Sequence, residues 1–204
     1  LATTNNKTDD KLVNYVKKNY KIDIFRGSEG NKVLRWVKCM EKFNIDYAAL
    51  VDGDDLAFDY TIYKNFLTKI KKKQKSTVYK FPEKIVTGSF TYIFDSKSLK
   101  LINKKSGKIR KIDVIEFFLK NLKNIKEIKV SKILLNKKIR LTLDYKEDLK
   151  FFRAIYKKVS ILEKTINIVE FLEKNDNIRK LNYHLEEFWR KNQLEEVSSH
   201  EKRN

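Results

Sequence analysis

The chain has 204 residues, enough for one domain, or for one domain with a small appendage, with a substantial buried core. An apolar content of 41%, with one proline and five glycines, excludes a collagen-like or linker-like chain. The formal charge of +19 would ordinarily suggest a nucleic-acid partner, but 38 of the 46 basic residues are lysines scattered among Asn and Ile, a bias that genome composition produces. We therefore expect no specific nucleic-acid partner.

Cysteine content and hydropathy limit where the protein works. Cys39 is the only cysteine, so no intrachain disulfide can form. No apolar run approaches the roughly 20 residues that a membrane span requires, and the first residues do not have the pattern of a secretory signal. We expect a cytoplasmic protein without a membrane partner.

The first part of the chain alternates between strand-like and helix-like segments. Strand-like segments lie at residues 1–4, 22–25 and 48–51, and helix-like segments lie at residues 12–20, 33–43 and 62–70. Alternation of this kind favours an α/β fold with a largely parallel, doubly wound sheet and flanking helices.

The middle of the chain is less regular. Residues 77–81, 89–94 and 125–130 have strand-like patterns, and apolar spacing predicts a helix over residues 114–122. Ser96 is placed to cap another short helix. A mixed sheet with an inserted excursion accounts for this region better than a perfect repeat.

Three carboxylates follow the strand-like segment at residues 48–51. They belong to Asp52, Asp54 and Asp55, and they surround Gly53. Crowded carboxylates at the end of a buried strand repel one another and lose hydration, so a cation or well-placed donors must neutralise them. This edge of an α/β sheet is also where ligands bind, and we therefore predict a divalent metal that holds phosphate oxygens. The alternative is a polar turn facing solvent.

A second acidic position ends a later strand-like segment. Ile139, Leu141 and Leu143 alternate, and the pattern stops at Asp144, which resembles Asp54 in its position. Two such positions in one sheet could converge on a single cation. The helix that follows has Glu147 and Asp148 in its first turn, and for both we expect a capping role.

The loop after residues 22–25 has a different chemistry. Arg26, Gly27 and Ser28 combine a guanidinium, a flexible backbone and a hydroxyl, which suit a phosphate or a nucleotide. An ordinary turn is the alternative.

Three segments taken together resemble a known family. Phe25–Glu29, Val51–Asp55 and Leu141–Leu149 are similar to motifs of cytidylyltransferases of the acylneuraminate and spore-coat polysaccharide type. The resemblance extends from Leu1 to about Val159. It implies a Rossmann-like nucleotide-diphospho-sugar transferase domain at residues 1–160, followed by a helical appendage at residues 161–204.

The resemblance also implies a reaction and a set of site residues. A sugar oxygen would attack the α-phosphate of CTP and release pyrophosphate, giving the cytidine monophosphate derivative of an acid sugar for surface polysaccharide or glycan biosynthesis. Asp54 and Asp144 match the ligands of Mg²⁺. The residues expected to bind nucleotide or substrate are Arg26, Gly27, Ser28, Asp52, Asp55 and Gly88.

Two departures from the family pattern affect these expectations. The glycine-rich, basic nucleotide-binding loop of the family would lie upstream of Leu1, so we expect this chain alone to be inactive. The proline that commonly follows the Gly-Asp pair is absent, because Asp54 and Asp55 lead directly into Leu56. An alternative function is therefore a non-catalytic interaction or assembly module of the same fold, with the helical tail packed on the domain or on a partner subunit of a homodimer.

Overall fold

The computed structural model describes residues 1–68, 70, 77–106, 119, 122–135 and 138–201. The chain forms two compact units. Unit 1 contains residues 1–48, 94–123 and 196–204, and unit 2 contains residues 49–93 and 124–195. The boundary expected between residues 160 and 161 stays a prediction.

Short strands and helices alternate along the described chain. The strands are β1 (Ala2–Thr4), β2 (Phe25–Gly27), β3 (Tyr47–Ala49), β4 (Val78–Lys80), β5 (Ile93–Asp95) and β6 (Ile125–Glu127). The helices are α1 (Asp10–Asn19), α2 (Lys32–Lys42), α3 (Tyr60–Leu67), α4 (Ser96–Ser106), α5 (Lys146–Ile155), α6 (Thr165–Lys174), α7 (Asp176–Arg179) and α8 (Leu185–Glu201). Strands β1 and β2 pair in parallel, and the second sheet has the order β3-β5-β4-β6, in which β4 and β6 are parallel. In the part of the chain described, no helix combines the length and apolar character needed to cross a membrane.

Unit 1 is built around two amphipathic helices and the β1–β2 pair. Helix α1 buries Val13 and Val16, and α2 buries Val33, Val37 and Met40. These residues belong to the apolar stripes that predicted both helices, because residues three or four apart share one helix face. Helix α2 packs against α4, β1 and β2.

Unit 2 contains a core of packed aromatic side chains. The ring of Tyr63 on α3 lies 4.5 to 6.0 Å from the rings of Phe58, Phe81 and Phe90. Its hydroxyl accepts a hydrogen bond from the backbone N–H of Thr91 at 2.7 Å, which satisfies the buried polar end of the side chain.

Helix α6 is anchored within unit 2. It buries Ile168, Val169 and Leu172. At its first residue, the hydroxyl of Thr165 donates to the carbonyl of Ala57 at 2.6 Å. A buried hydrogen bond of this kind is costly to leave unmade, so it fixes the start of α6 against the chain that follows β3.

The predicted strand at residues 139–143 is wrong. Arg140 forms a single parallel bridge with Thr87, and the segment around it is extended without a continuous partner. The backbone N–H of Leu141 donates to the carbonyl of Thr87 at 2.7 Å, whereas that of Leu143 donates to the carbonyl of Asp54 at 3.1 Å. These two donors are two residues apart and pair with two separate segments, so no continuous ladder of hydrogen bonds develops.

Two other expectations concern helices. Ser96 was expected to cap a helix, but it is the first residue of α4, and the carboxylate of Asp95 accepts from the backbone and hydroxyl of Ser98 at 2.9 and 2.6 Å. The helix predicted over residues 114–122 lies mostly outside the described residues.

Candidate cation site

The loop after β3 gathers its three carboxylates as the sequence suggests. Asp52, Gly53, Asp54 and Asp55 form what we call the acidic loop, and one oxygen from each carboxylate lies within 4.8 Å of the others. The loop is turned by a hydrogen bond from the backbone N–H of Asp55 to the carbonyl of Asp52, at 3.2 Å. Each carboxylate is partly exposed, so an ion from solvent can reach them.

The electrostatics of the acidic loop favour a cation. Burial raises the pKa of Asp55 to about 7, and repulsion by Asp54, Asp52 and Asp144 acts in the same direction. A divalent cation would relieve this repulsion, and an all-carboxylate donor set suits hard ions such as Mg²⁺. The residues present therefore fit the predicted metal.

Asp144 lies next to the acidic loop. The backbone hydrogen bond from Leu143 to Asp54 joins the two segments, and the charge of Asp144 contributes to the raised pKa of Asp55. The structure thus joins the segments that carry Asp54 and Asp144, but the carboxylates that lie within 4.8 Å of one another are those of Asp52, Asp54 and Asp55 and do not include that of Asp144. The role of Asp54 and Asp144 as metal ligands stays a prediction.

Asp144 also belongs to a largely buried group of polar and charged side chains that we call the Arg140 cluster. Its members are Arg140, Asp144, Asp148, Asn182 and Glu186. The guanidinium of Arg140 is fully buried and pairs with Asp144 at 2.5 Å, with Asp148 at 3.1 Å and with Glu186 at 3.3 Å. Asn182 donates to the Asp148 carboxylate at 2.8 Å. Buried charges persist only when paired in this way.

Both pKa shifts in the Arg140 cluster favour the charged forms. Burial acts to lower the pKa of Arg140, but the hydrogen bond and charge of Asp148 and the charges of Asp144 and Glu186 outweigh it, and the pKa is raised. Burial acts to raise the pKa of Asp148, but donors led by Arg140 outweigh it, and the pKa is lowered. Asp148 also accepts from the backbone N–H of Tyr145 at 2.9 Å, which confirms its predicted capping role at α5.

The predicted nucleotide loop lies in unit 1. The guanidinium of Arg26 donates to the carbonyls of Thr4 and Asn6 and to the Asp10 carboxylate, at 2.9, 2.6 and 2.6 Å. The hydroxyl oxygen of Ser28 accepts from the backbone N–H of Asn31 at 3.1 Å. These contacts shape the loop itself.

Gly27 ends β2 in the same loop, and a Cβ there would meet the ring of Phe25 at 2.6 Å. The nucleotide-binding role of Arg26, Gly27 and Ser28 stays a prediction.

Gly88 has a clear structural reason to be glycine. Its φ of 75° lies in the left-handed region, and a Cβ there would collide with the backbone of Leu141 and Thr142. The close approach allows the bridge between Thr87 and Arg140. Its predicted role near the substrate stays a prediction.

Residues that precede and follow the acidic loop in the chain line an open groove of about 570 Å³. It is lined mainly by apolar and aromatic side chains of β3, its following loop and α3. These include Ala49, Val51, Phe58, Tyr60, Tyr63 and Leu67.

Sequence reasoning missed Arg140, Asn182 and Glu186. One signal was present for Arg140, which is a charged residue inside an apolar run, four residues before Asp144 and eight before Asp148. Asn182 and Glu186 are distant in sequence and gave no comparable signal.

Comparison with known proteins identifies the fold. No family model matches the chain. It is 24% identical, over 187 residues, to an uncharacterized protein of Methanocaldococcus jannaschii, covering 89% of this chain and 75% of that protein. Its structure is similar to that of a cytidylyltransferase from Leptospira borgpetersenii serovar Hardjo-bovis, with a TM-score of 0.73 and 22% identity, covering 86% of this chain and 75% of the other. This likeness establishes the fold. The predicted α/β, Rossmann-like fold with a mixed sheet and flanking helices is confirmed.

Proposed function

We propose that this protein is a nucleotidyltransferase that activates an acid sugar as its cytidine monophosphate derivative and releases pyrophosphate from CTP. Such a product would serve surface polysaccharide or glycan biosynthesis. The observation that supports this most directly is the acidic loop, whose carboxylates converge at the end of β3 on a fold shared with a cytidylyltransferase.

Asp54 and Asp144 would hold Mg²⁺, with Asp52 and Asp55 beside them. When bound, the ion neutralises the triphosphate and stabilises the charge that develops during nucleotidyl transfer. The chain's own contribution is to fix the carboxylates and to position the reactants, since this chemistry requires little covalent participation by the protein.

The groove beside β3 and α3 suits the flat, partly apolar part of a nucleotide or sugar. Phe58 and Tyr60 offer aromatic surface there, close in the chain to the carboxylates that would hold the phosphate-bound ion. The apolar part of the substrate would then lie in the groove, and its phosphates would lie at the carboxylates.

The test uses protein expressed from its complete reading frame. Pyrophosphate release is measured with CTP, ATP, GTP or UTP, each combined with a set of acid sugars and MgCl₂. We expect release with CTP and an acid sugar, and a decrease of at least about 100-fold in kcat for Asp54→Ala and Asp144→Ala.

Asp176→Ala is the matched control, because Asp176 is an aspartate on α7 that forms ion pairs with Arg179 and Lys180 on or next to the same short helix. Its kcat should match that of the unsubstituted protein. Full activity of Asp54→Ala would contradict the metal assignment, and absence of pyrophosphate release with every nucleotide would contradict the proposed reaction.

A further inference from the structure

The carboxylate of Asp144 is oriented by Arg140. A guanidinium nitrogen, Nη2, donates to Asp144 Oδ2 at 2.5 Å, and the hydroxyl of Thr142 donates to the same oxygen at 3.2 Å. Both hydrogen bonds that described residues make to this carboxylate therefore end on one oxygen. The other oxygen, Oδ1, receives neither of these hydrogen bonds.

Arg140 is itself held in one position. Its Nε donates to Asp148 Oδ1 at 3.1 Å, its Nη2 to Asp148 Oδ2 at 3.3 Å, and its Nη1 to Glu186 Oε2 at 3.3 Å. The rings of Tyr145 and Trp189 lie 5.5 and 5.4 Å from the guanidinium carbon. Acceptors on three sides and aromatic neighbours leave a planar guanidinium little freedom to rotate.

Part of this support comes from the C-terminal helices. Glu186 lies on α8, is 4% exposed, and accepts from the Thr87 hydroxyl at 2.6 Å and from Arg190 Nε at 2.7 Å. Asn182, just before α8, donates to both Asp148 and the carbonyl of Arg140. Residues beyond the predicted boundary at 160 therefore complete the surroundings of Arg140.

The three carboxylates paired with Arg140 differ in exposure. Asp148 and Glu186 are enclosed, whereas the Asp144 side chain is 29% exposed. Among these three carboxylates, Asp144 is thus the one that solvent and an ion can reach.

We propose that Arg140, held in place by Glu186 of α8, positions Asp144 for the divalent cation of the nucleotidyl-transfer site. This inference rests on the function proposed above. It makes the C-terminal helices a supporting part of the site and not a separate appendage. Groups that orient metal ligands typically change metal affinity by about 10- to 100-fold when they are altered.

The experiment measures binding of Mn²⁺ alone by calorimetry, and the Mg²⁺ concentration that gives half-maximal pyrophosphate release. Glu186→Gln keeps the size of the side chain but removes the charge that faces Arg140. We expect its Kd for Mn²⁺ and its Mg²⁺ requirement to rise about tenfold. Arg140→Lys should produce a similar or larger increase, because an ammonium group cannot reproduce the planar set of hydrogen bonds that the guanidinium donates to three carboxylates.

Leu172→Ala is the matched control for stability. Leu172 is fully buried on α6 in the C-terminal region, so its truncation should lower the unfolding temperature without removing a charged or hydrogen-bonding side chain. Its Kd for Mn²⁺ should stay within about twofold of the unsubstituted protein. An equal loss of Mn²⁺ affinity in Leu172→Ala would overturn the positioning role.

The remaining outcomes separate the inference from the proposed function. If Asp54→Ala and Asp144→Ala lose Mn²⁺ while Glu186→Gln and Arg140→Lys bind it normally, the inference alone is overturned. If the unsubstituted protein binds no Mn²⁺, both fail together. Should Glu186→Gln not fold, Thr87→Val removes one donor to Glu186, and an unchanged Mn²⁺ affinity in that variant would also overturn the inference.

Discussion

The acidic loop and the Arg140 cluster each contain three carboxylates, but their environments act in opposite directions. In the loop, burial and like charges raise the pKa of Asp55 to about 7. In the cluster, burial of Asp148 is outweighed by donors led by Arg140, and its pKa is lowered. In the Arg140 cluster, therefore, buried carboxylates are stabilised in their charged form by a buried guanidinium, whereas in the acidic loop burial and neighbouring carboxylates oppose ionisation of Asp55, a repulsion that a bound cation would relieve.

Removing the central cation of the Arg140 cluster should have the largest effect. In Arg140→Met, Asp148 and Glu186 remain buried without their guanidinium, and we expect a loss of about 3–5 kcal/mol in the free energy of unfolding. Chemical denaturation at pH 7 measures this. Lys38→Met, which removes an exposed cation paired with Glu41, is the control and should change the value by less than about 1 kcal/mol. Equal effects of the two substitutions would contradict this stabilising role.

Substitution of Gly88, which lies against the backbone next to Arg140, should cost more stability than substitution of Gly53 in the acidic loop. Gly88→Ala imposes a left-handed conformation on alanine and a collision with Leu141, so we expect a loss of about 2–4 kcal/mol. Gly53→Ala, in the acidic loop, meets nothing within 4 Å and should be nearly neutral. Thermal unfolding of both variants checks this, and similar unfolding temperatures would show that the Thr87–Gly88 segment is less constrained than its backbone geometry indicates.

Neutralising one carboxylate in each region should give opposite signs. Asp148→Asn weakens the pairing of Arg140 and should destabilise the protein by about 1–3 kcal/mol at pH 8. Asp55→Asn relieves repulsion and should stabilise metal-free protein by about 1 kcal/mol after solvent screening. Denaturation in the presence of a chelator makes the comparison. Destabilisation by both substitutions would remove the distinction between the two groups.

The lowered pKa of Asp148 also predicts that the stability of the protein depends on pH. Because its pKa is lowered on folding, its stabilising contribution is present above the ordinary aspartate value and is lost as the pH falls through the folded value. The difference between the unsubstituted protein and Asp148→Asn should therefore shrink in acid.

Asp9 of unit 1 is a third kind of carboxylate, because it is stabilised mainly by hydrogen bonds. Its carboxylate accepts from the Thr3 hydroxyl at 2.5 Å and from the Thr4 backbone at 2.9 Å, and these bonds lower its pKa to about 2. The contribution to stability is present above the ordinary value of 3.8 and is lost as the pH falls towards 2.

For Asp9 we expect the smallest of these effects, because the side chain is accessible to solvent. Thermal unfolding between pH 2 and pH 5 should show a shallower acid dependence in Asp9→Asn than in the unsubstituted protein. An acid dependence in Asp9→Asn as steep as that of the unsubstituted protein would show that the hydrogen bonds of Thr3 and Thr4 do not stabilise the ionised carboxylate.

Features set by local patterns could be predicted. The stripe of Val33, Val37 and Met40 indicated α2, since helix periodicity depends only on neighbouring residues. The acidic loop after β3 was recognised because three carboxylates around one glycine stand out in any short window. The strand expected at residues 139–143 failed because a strand also requires a continuous partner, and alternation cannot supply one.

Local patterns in the chain identified candidate residues in the acidic loop and at Asp144, together with the amphipathic helices. Which carboxylates are paired with a buried cation depends on the fold. Arg140 meets Asp144 and Asp148 within one local segment, but Glu186 reaches it across 46 residues of chain. Burial and pairing depend on such long-range packing, and these two quantities separate a carboxylate that supports the site from one that is available to a cation.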